Sequence, residues 1–159
     1  MPADSDTGMA LTLVDGQPAD TLPADDRGLA YGDGVFRTLA VRAGRALLWK
    51  RHYAKLVADC RALAITAPDE TLLIEDLRHI TARMPGCALK ITVTRGSGGR
   101  GYAIPETVTP RRIVTASPLP DYLDELTTGG VNIRYCRQRQ RAKTDPSTLL
   151  RVHRPRAHS

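Results

Sequence analysis

Residues 31–49 read YGDGVFRTLAVRAGRALLW, and their pattern sets the expectation for the fold. In an extended chain Val35, Leu39 and Val41 fall on one side, while Phe36, Thr38 and Ala40 fall on the other, because side chains alternate across a sheet. Ala43-Gly44 then supplies a tight turn, and the residues after it return as a second strand. The first set is expected in a core. The second combines an aromatic ring, a hydroxyl and a small residue, which suits the wall of a pocket or a second, loosely packed core face equally well.

The same alternation extends outward on both sides. Residues 9–14 (MALTLV) lead into Asp15-Gly16, a two-residue hairpin signal, and QPADTLPADDRG at 17–28 reads as a loop. After the central strands, Trp49, Tyr53, Leu56, Val57, Cys60, Leu63 and Ala64 make a helical stripe over roughly Trp49 to Ile65. Pro68 interrupts it. A second helix follows over roughly Asp69 to Met84, with Leu73, Leu77, Ile80 and Met84 aligned, and Pro85-Gly86 ends it. Residues 87–95 (CALKITVTR) alternate again, with Leu89, Ile91 and Val93 on one face. Arg95 continues that face and is expected to look into a cavity mouth. Strands at 112–116 and 131–136 complete the pattern. Two helices, a hairpin and no regular βαβ alternation predict an α+β domain with a largely antiparallel sheet.

A chain of 159 residues is long enough for one domain or for half of a larger enzyme. It has no apolar run of the ~18 residues that span a bilayer, and MPADSDTGMA does not resemble a signal peptide, so the expected location is the cytoplasm, without a membrane partner. Cys60, Cys87 and Cys136 lack CxxC spacing and read as buried free thiols, with no metal site signalled. The net charge of +6 is local: residues 137–159 hold seven Lys/Arg against one acid, Asp145, and the first 136 residues are neutral. Basicity therefore belongs to a tail, not to the body, and nucleic acid is not the expected partner.

Residues 95–102 (RGSGGRGY) raise the question of an anion site. Gly96, Gly98 and Gly101 satisfy G-x-G-x-x-G after a strand, but the next residues, YAIPETVTPRR, do not open the helix that would hold a pyrophosphate. A phosphate-binding P-loop fails too, because no Lys-Ser/Thr pair follows the glycines. Two readings remain. Backbone amides with Arg95 and Arg100 cradle a carboxylate or phosphate, or the segment is an ordinary hairpin loop with solvated arginines.

Three segments read together, DRGLAYGDGVFRTLAV at 26–41, RHYAKL at 51–56 and TRGSGGRGYAIP at 94–105, resemble the N-terminal half of fold-type IV pyridoxal phosphate enzymes. That group contains branched-chain and D-amino-acid aminotransferases and aminodeoxychorismate lyases, and the string RGSGGRGY is most similar to the lyase branch. The resemblance runs from about Leu11 to about Cys136. It implies pyridoxal phosphate as cofactor, a small carboxylate substrate and a homodimeric full-length form. The implied lyase reaction yields 4-aminobenzoate and pyruvate for folate synthesis. Phe36 and Thr38 would line the substrate pocket, the Thr38 hydroxyl near the bond being broken. Arg100 and Tyr102 match positions that bind a substrate carboxylate, with Arg95 as support. Lys55 stands where the family's HxxRL motif has the arginine that holds the cofactor phosphate. His52 reads as a helix-surface or capping side chain, and His79 matches no motif.

The resemblance also implies a Schiff-base lysine near residue 152, where the sequence reads LLRVHRPRAHS. No lysine stands there, and Lys143 has the wrong neighbours. The expectation is an N-terminal domain over 1–136 and a basic tail over 137–159, with a truncated or frameshifted end and no turnover by this chain alone. Two alternatives stay open: a D- or branched-chain amino-acid transaminase, and a non-catalytic module whose tail contacts nucleic acid.

Overall fold

Two tight turns organise the first half of the chain. Asp15 and Gly16 have φ of 50° and 87°, and Ala43 and Gly44 have 48° and 72°, the positive values that match a hairpin to the twist of its strands. The computed structural model describes residues 11–99, 101–105, 107–120 and 128–130. The first turn joins β1 (Leu11–Val14) to β2 (Gln17–Pro18), and the second joins β3 (Gly34–Arg42) to β4 (Arg45–Ala46). Helix α1 (Arg27–Tyr31) lies between the hairpins. Helices α2 (Trp49–Ala62) and α3 (Glu70–Thr81) precede β5 (Cys87–Thr94) and β6 (Arg111–Ser117).

The six strands form one sheet in the order β2-β1-β6-β5-β3-β4, every neighbouring pair antiparallel. This is the α+β architecture expected from the alternation. The strand expected at 131–136 lies outside the described residues, as do Met9 and Ala10. One face of the sheet is the core: Leu13, Leu39, Val41, Leu89, Ile91, Val93 and Val114 are buried. Leu56 and Cys60 of α2 and Leu73 and Ile80 of α3 join the same cluster. Trp49 Nε1 donates to Glu70 Oε1 at 2.8 Å, and the Tyr53 hydroxyl donates to the Pro68 carbonyl at 3.2 Å, which ties the two helices together. Cys60 and Cys87 are buried free thiols, and burial pushes the Cys60 thiol up to about 11; Cys136 lies outside the described residues. No helix among those residues is long and apolar enough to cross a membrane.

Three expectations need correction. The loop read over 17–28 contains the start of α1, whose N-cap Asp26 accepts the Gly28 N–H at 2.8 Å. Five helical residues are too few to show a period. The strand after Ala43-Gly44 is only two residues long, because Leu48 takes φ 54° and turns the chain into α2. Helix α2 stops at Ala62, so Ala64, at φ 51°, leaves the stripe and is exposed.

Candidate active site

The face of the sheet opposite the core carries Phe36, Thr38 and Ala40 of β3. Phe36 is 51% exposed and Thr38 is exposed, so this face is an open wall and not a second core. Register shows what stands beside them. Thr38 lies opposite Lys90, Lys90 opposite Thr115, and Thr115 opposite Thr12. One row across four strands thus presents three hydroxyls and an amine. In the neighbouring row Phe36 lies opposite Thr92 and Thr92 opposite Ile113. The Lys90 ammonium sits 4.7 Å from the centre of the Phe36 ring, within cation–π range. Structure brings Phe36 and Thr38 together as expected and adds Lys90, which sequence reading missed. Its parity with Thr92 and Thr94 was the available signal.

The glycine loop leaves this sheet at the end of β5, where Thr94 pairs with Gly34 at the start of β3. Arg95 does not look into a cavity mouth. It is 4% exposed, and its guanidinium donates to Asp33 Oδ2 at 2.8 Å, to the Ala64 carbonyl at 2.9 Å and to the Leu63 carbonyl at 2.7 Å. Those carbonyls belong to the chain just after α2, so Arg95 ties the end of that helix to the end of β5. It serves the fold and has no free edge for a ligand anion. Asp33 also accepts from Arg27 Nε at 2.9 Å. Burial alone would raise the Asp33 carboxyl, but hydrogen bonds and charge from Arg95 and Arg27 outweigh it and hold the group below the usual carboxylate range.

Arg27, 2% exposed, sets the sense of the loop. Its guanidinium donates to the carbonyls of Gly101, Tyr102 and Ala103. The backbone there wraps a cation of its own chain, not an anion. Gly96 is required by space: with φ 88°, a Cβ on it would come 1.9 Å from the Thr109 carbonyl oxygen. Tyr102 is 63% exposed and its ring contacts Tyr31 at 5.3 Å, so among the described residues its ring partner is Tyr31 and not Phe36 or Thr38. Arg100 lies outside the described residues. Beneath the loop, buried Asp26 accepts from Thr94 Oγ1 at 3.0 Å and pairs with Arg111.

Lys55 is not on the open face. It projects from α2, its side chain more than half exposed, and pairs with Asp59, which also pairs with Arg37. Arg37 stands between Phe36 and Thr38 in β3 but points to the helix side, so one strand links the open wall to this cluster. Arg37 Nε is buried without a hydrogen-bond partner. Two cations sharing one carboxylate leave net positive charge, and the exposed Lys55 ammonium is the part of it that a phosphate can reach, whereas the Arg37 N–H is enclosed. His52 is half-buried on α2 and His79 exposed on α3. Among the described residues no three His, Cys, Asp or Glu are grouped to hold a metal. An open cleft of about 290 Å³ lies elsewhere, beside Thr66, Pro68, Leu72 and Pro110. Its arginines are already paired, Arg111 with Asp26 and Arg112 with Asp76, so the open wall is the better candidate.

The amino-transferase class IV family profile matches residues 34–156. This chain belongs to that family. Among curated relatives, an aminodeoxychorismate lyase from Vibrio harveyi is 29% identical over 126 residues, 79% of this chain and 46% of the relative. A bifunctional aminodeoxychorismate lyase / D-amino acid transaminase from Mycobacterium tuberculosis is 34% identical over 104 residues, 62% and 34% of the two chains. Among solved structures, 4-amino-4-deoxychorismate lyase from Pseudomonas aeruginosa superposes with a TM-score of 0.71 at 48% identity, covering 80% of this chain and 47% of that one. A hypothetical aminotransferase from Mycobacterium tuberculosis, in a PLP-bound form, superposes with a TM-score of 0.62 at 28% identity, covering 77% and 44%. The class IV chain described here thus spans about half the length, or less, of these relatives.

Proposed function

We propose that this class IV chain forms the N-terminal, substrate-facing lobe of an aminodeoxychorismate lyase, with the lobe ending near Cys136. The observation that carries the reading is the 48% identity to the Pseudomonas aeruginosa lyase over 80% of the chain, combined with an exposed wall that holds Phe36 and Thr38 ready for a ligand. The substrate is a small carboxylate, the products are 4-aminobenzoate and pyruvate for folate synthesis, and the complete enzyme works as a cytoplasmic homodimer.

Pyridoxal phosphate, when bound, supplies the electron sink for breaking the substrate bond. Lys55 would supply positive charge toward its phosphate, from the helix side of β3 and not from the open wall. Lysine does this as a point charge, without the planar fork of the arginine usual in the HxxRL motif. Phe36 shields one side of the substrate from water, and the Thr38 hydroxyl hydrogen-bonds the substrate near the breaking bond. Tyr102 and Arg100 bind a carboxylate. No residue of this chain is assigned the Schiff-base role.

In the complete enzyme to which this lobe is proposed to belong, pyruvate release from aminodeoxychorismate, measured against amino-group transfer from leucine or a D-amino acid to 2-oxoglutarate with pyridoxal phosphate added, separates lyase from transaminase. Transfer without pyruvate release sinks the lyase reading. Recognition is read independently of turnover by titrating 4-aminobenzoate and following the NMR signals of Phe36 and Thr38. Shifts confined to other parts of the chain count against the proposed wall.

A further inference from the structure

We propose that Arg27 is a positioning residue for substrate recognition: it is the post on which residues 101–103 are wound, and it fixes where the Tyr102 side chain meets a carboxylate. The inference rests on the carboxylate reading of the loop given above. Arg27 spends every nitrogen of its guanidinium on this task. Nε binds Asp33 at 2.9 Å, Nη1 donates to Gly101 and Ala103 carbonyls at 3.2 Å each, and Nη2 donates to the Tyr102 carbonyl at 3.3 Å. Three successive carbonyls turned toward one planar cation define a tight curve, and only a fork with several donors satisfies them together.

Neighbouring contacts act in the same sense. The Tyr31 ring lies 4.9 Å from the Arg27 guanidinium, and the Tyr31 hydroxyl accepts the Gly101 N–H at 3.0 Å. Gly98 packs on the Arg27 stem, where a Cβ would come 3.0 Å from Arg27 Cδ. Ser97 Oγ donates to Asp25 Oδ1 at 3.0 Å. The base of the post is rigid, because Asp33 is shared with buried Arg95. All three of the carbonyl contacts grip the backbone, so the Tyr102 side chain, resting on the Tyr31 ring, stays exposed to a ligand while its main chain is held. A recognition group on a loop works when supporting contacts keep it within about 0.5 Å of its productive place, and a loop ordered in advance does not lose that freedom again on binding.

The test uses the full chain with Arg27→Lys and Tyr31→Phe, titrated by NMR with 4-aminobenzoate and with aniline, the same ring without a carboxylate. Wild type is expected to prefer 4-aminobenzoate. In Arg27→Lys the core signals of Leu89 and Ile91 stay in place, the Gly101 amide exchanges faster, and the preference for the carboxylate falls about tenfold while aniline binding is unchanged. Tyr31→Phe, which removes only the acceptor of the Gly101 N–H, gives a smaller loss in the same direction and carries the test where Arg27→Lys does not fold. A role confined to stability would weaken both ligands alike. Unchanged carboxylate preference in folded variants overturns the positioning role alone. A wild type that binds both ligands equally overturns the carboxylate reading and this inference with it.

Discussion

Lys90 and Arg95 come from one stretch of chain, yet their surroundings are opposite. Lys90 points from the middle of β5 to the open face, where its neighbours are the Phe36 ring and the hydroxyl-bearing residues Thr38 and Thr115. Arg95 follows the strand on the other parity and is enclosed by Asp33 and the carbonyls of Leu63 and Ala64. A cation in the first setting is available to a ligand, and one in the second holds elements together. The two differ in what covers each face of the sheet, not in residue chemistry.

The largest expected effect is on the enclosed side. Asp33→Asn leaves Arg27 and Arg95 buried without their shared counter-charge, a loss of about 3–5 kcal/mol in urea unfolding. Because the Asp33 carboxyl is held below its usual range in the folded chain, its contribution is present above the unfolded value of about 4 and is lost as pH falls through the lower folded value. The gap between wild type and Asp33→Asn should therefore be constant above about pH 5 and close on acidification. A gap that widens in acid would refute the shared-carboxylate account.

A pair of truncations sharpens the contrast between the faces. Leu89→Ala, on the covered side, should cost about 2–5 kcal/mol, whereas Thr38→Ala, one strand away on the open side, should stay within about 0.5 kcal/mol. Comparable costs at both sites would mean that the open wall is part of a core. Lys90→Met should likewise leave the thermal midpoint nearly unchanged, yet weaken 4-aminobenzoate binding severalfold, since one charge-assisted contact contributes about 1 kcal/mol or more. Equal affinity in titration calorimetry would remove Lys90 from the site. The smallest effect is expected at the β3–β4 turn: Ala43→Asn places a residue tolerant of φ 48° and should raise stability by a few tenths of a kcal/mol. A lower midpoint in differential scanning calorimetry would contradict that turn geometry.

Much of the fold was legible because its elements are long and periodic. Alternation marked β3 and β5, and stripes ending near proline or glycine marked α2 and α3. Phe36 and Thr38 fall on one face of β3 as alternation required, because parity follows from the strand itself. Helix α1 escaped, being too short to show a period, and so did its service to the loop. Arg95 was misread because its partners lie 62, 32 and 31 residues away in the chain, and no local pattern announces such a meeting. Lys90 was passed over because it belongs to no motif, and Arg37, although inside the 26–41 segment, because its partner Asp59 lies 22 residues away.

Order along the chain by itself determined which side chains share a face, where the chain turns and which family motifs stand in register, since each depends on neighbours a few residues apart. Tertiary structure decided which face is covered, which of several arginines is locked and which way the glycine loop curls. Those outcomes depend on buried charge finding a distant partner. Desolvation penalises every alternative in which Arg27 and Arg95 are enclosed without Asp33.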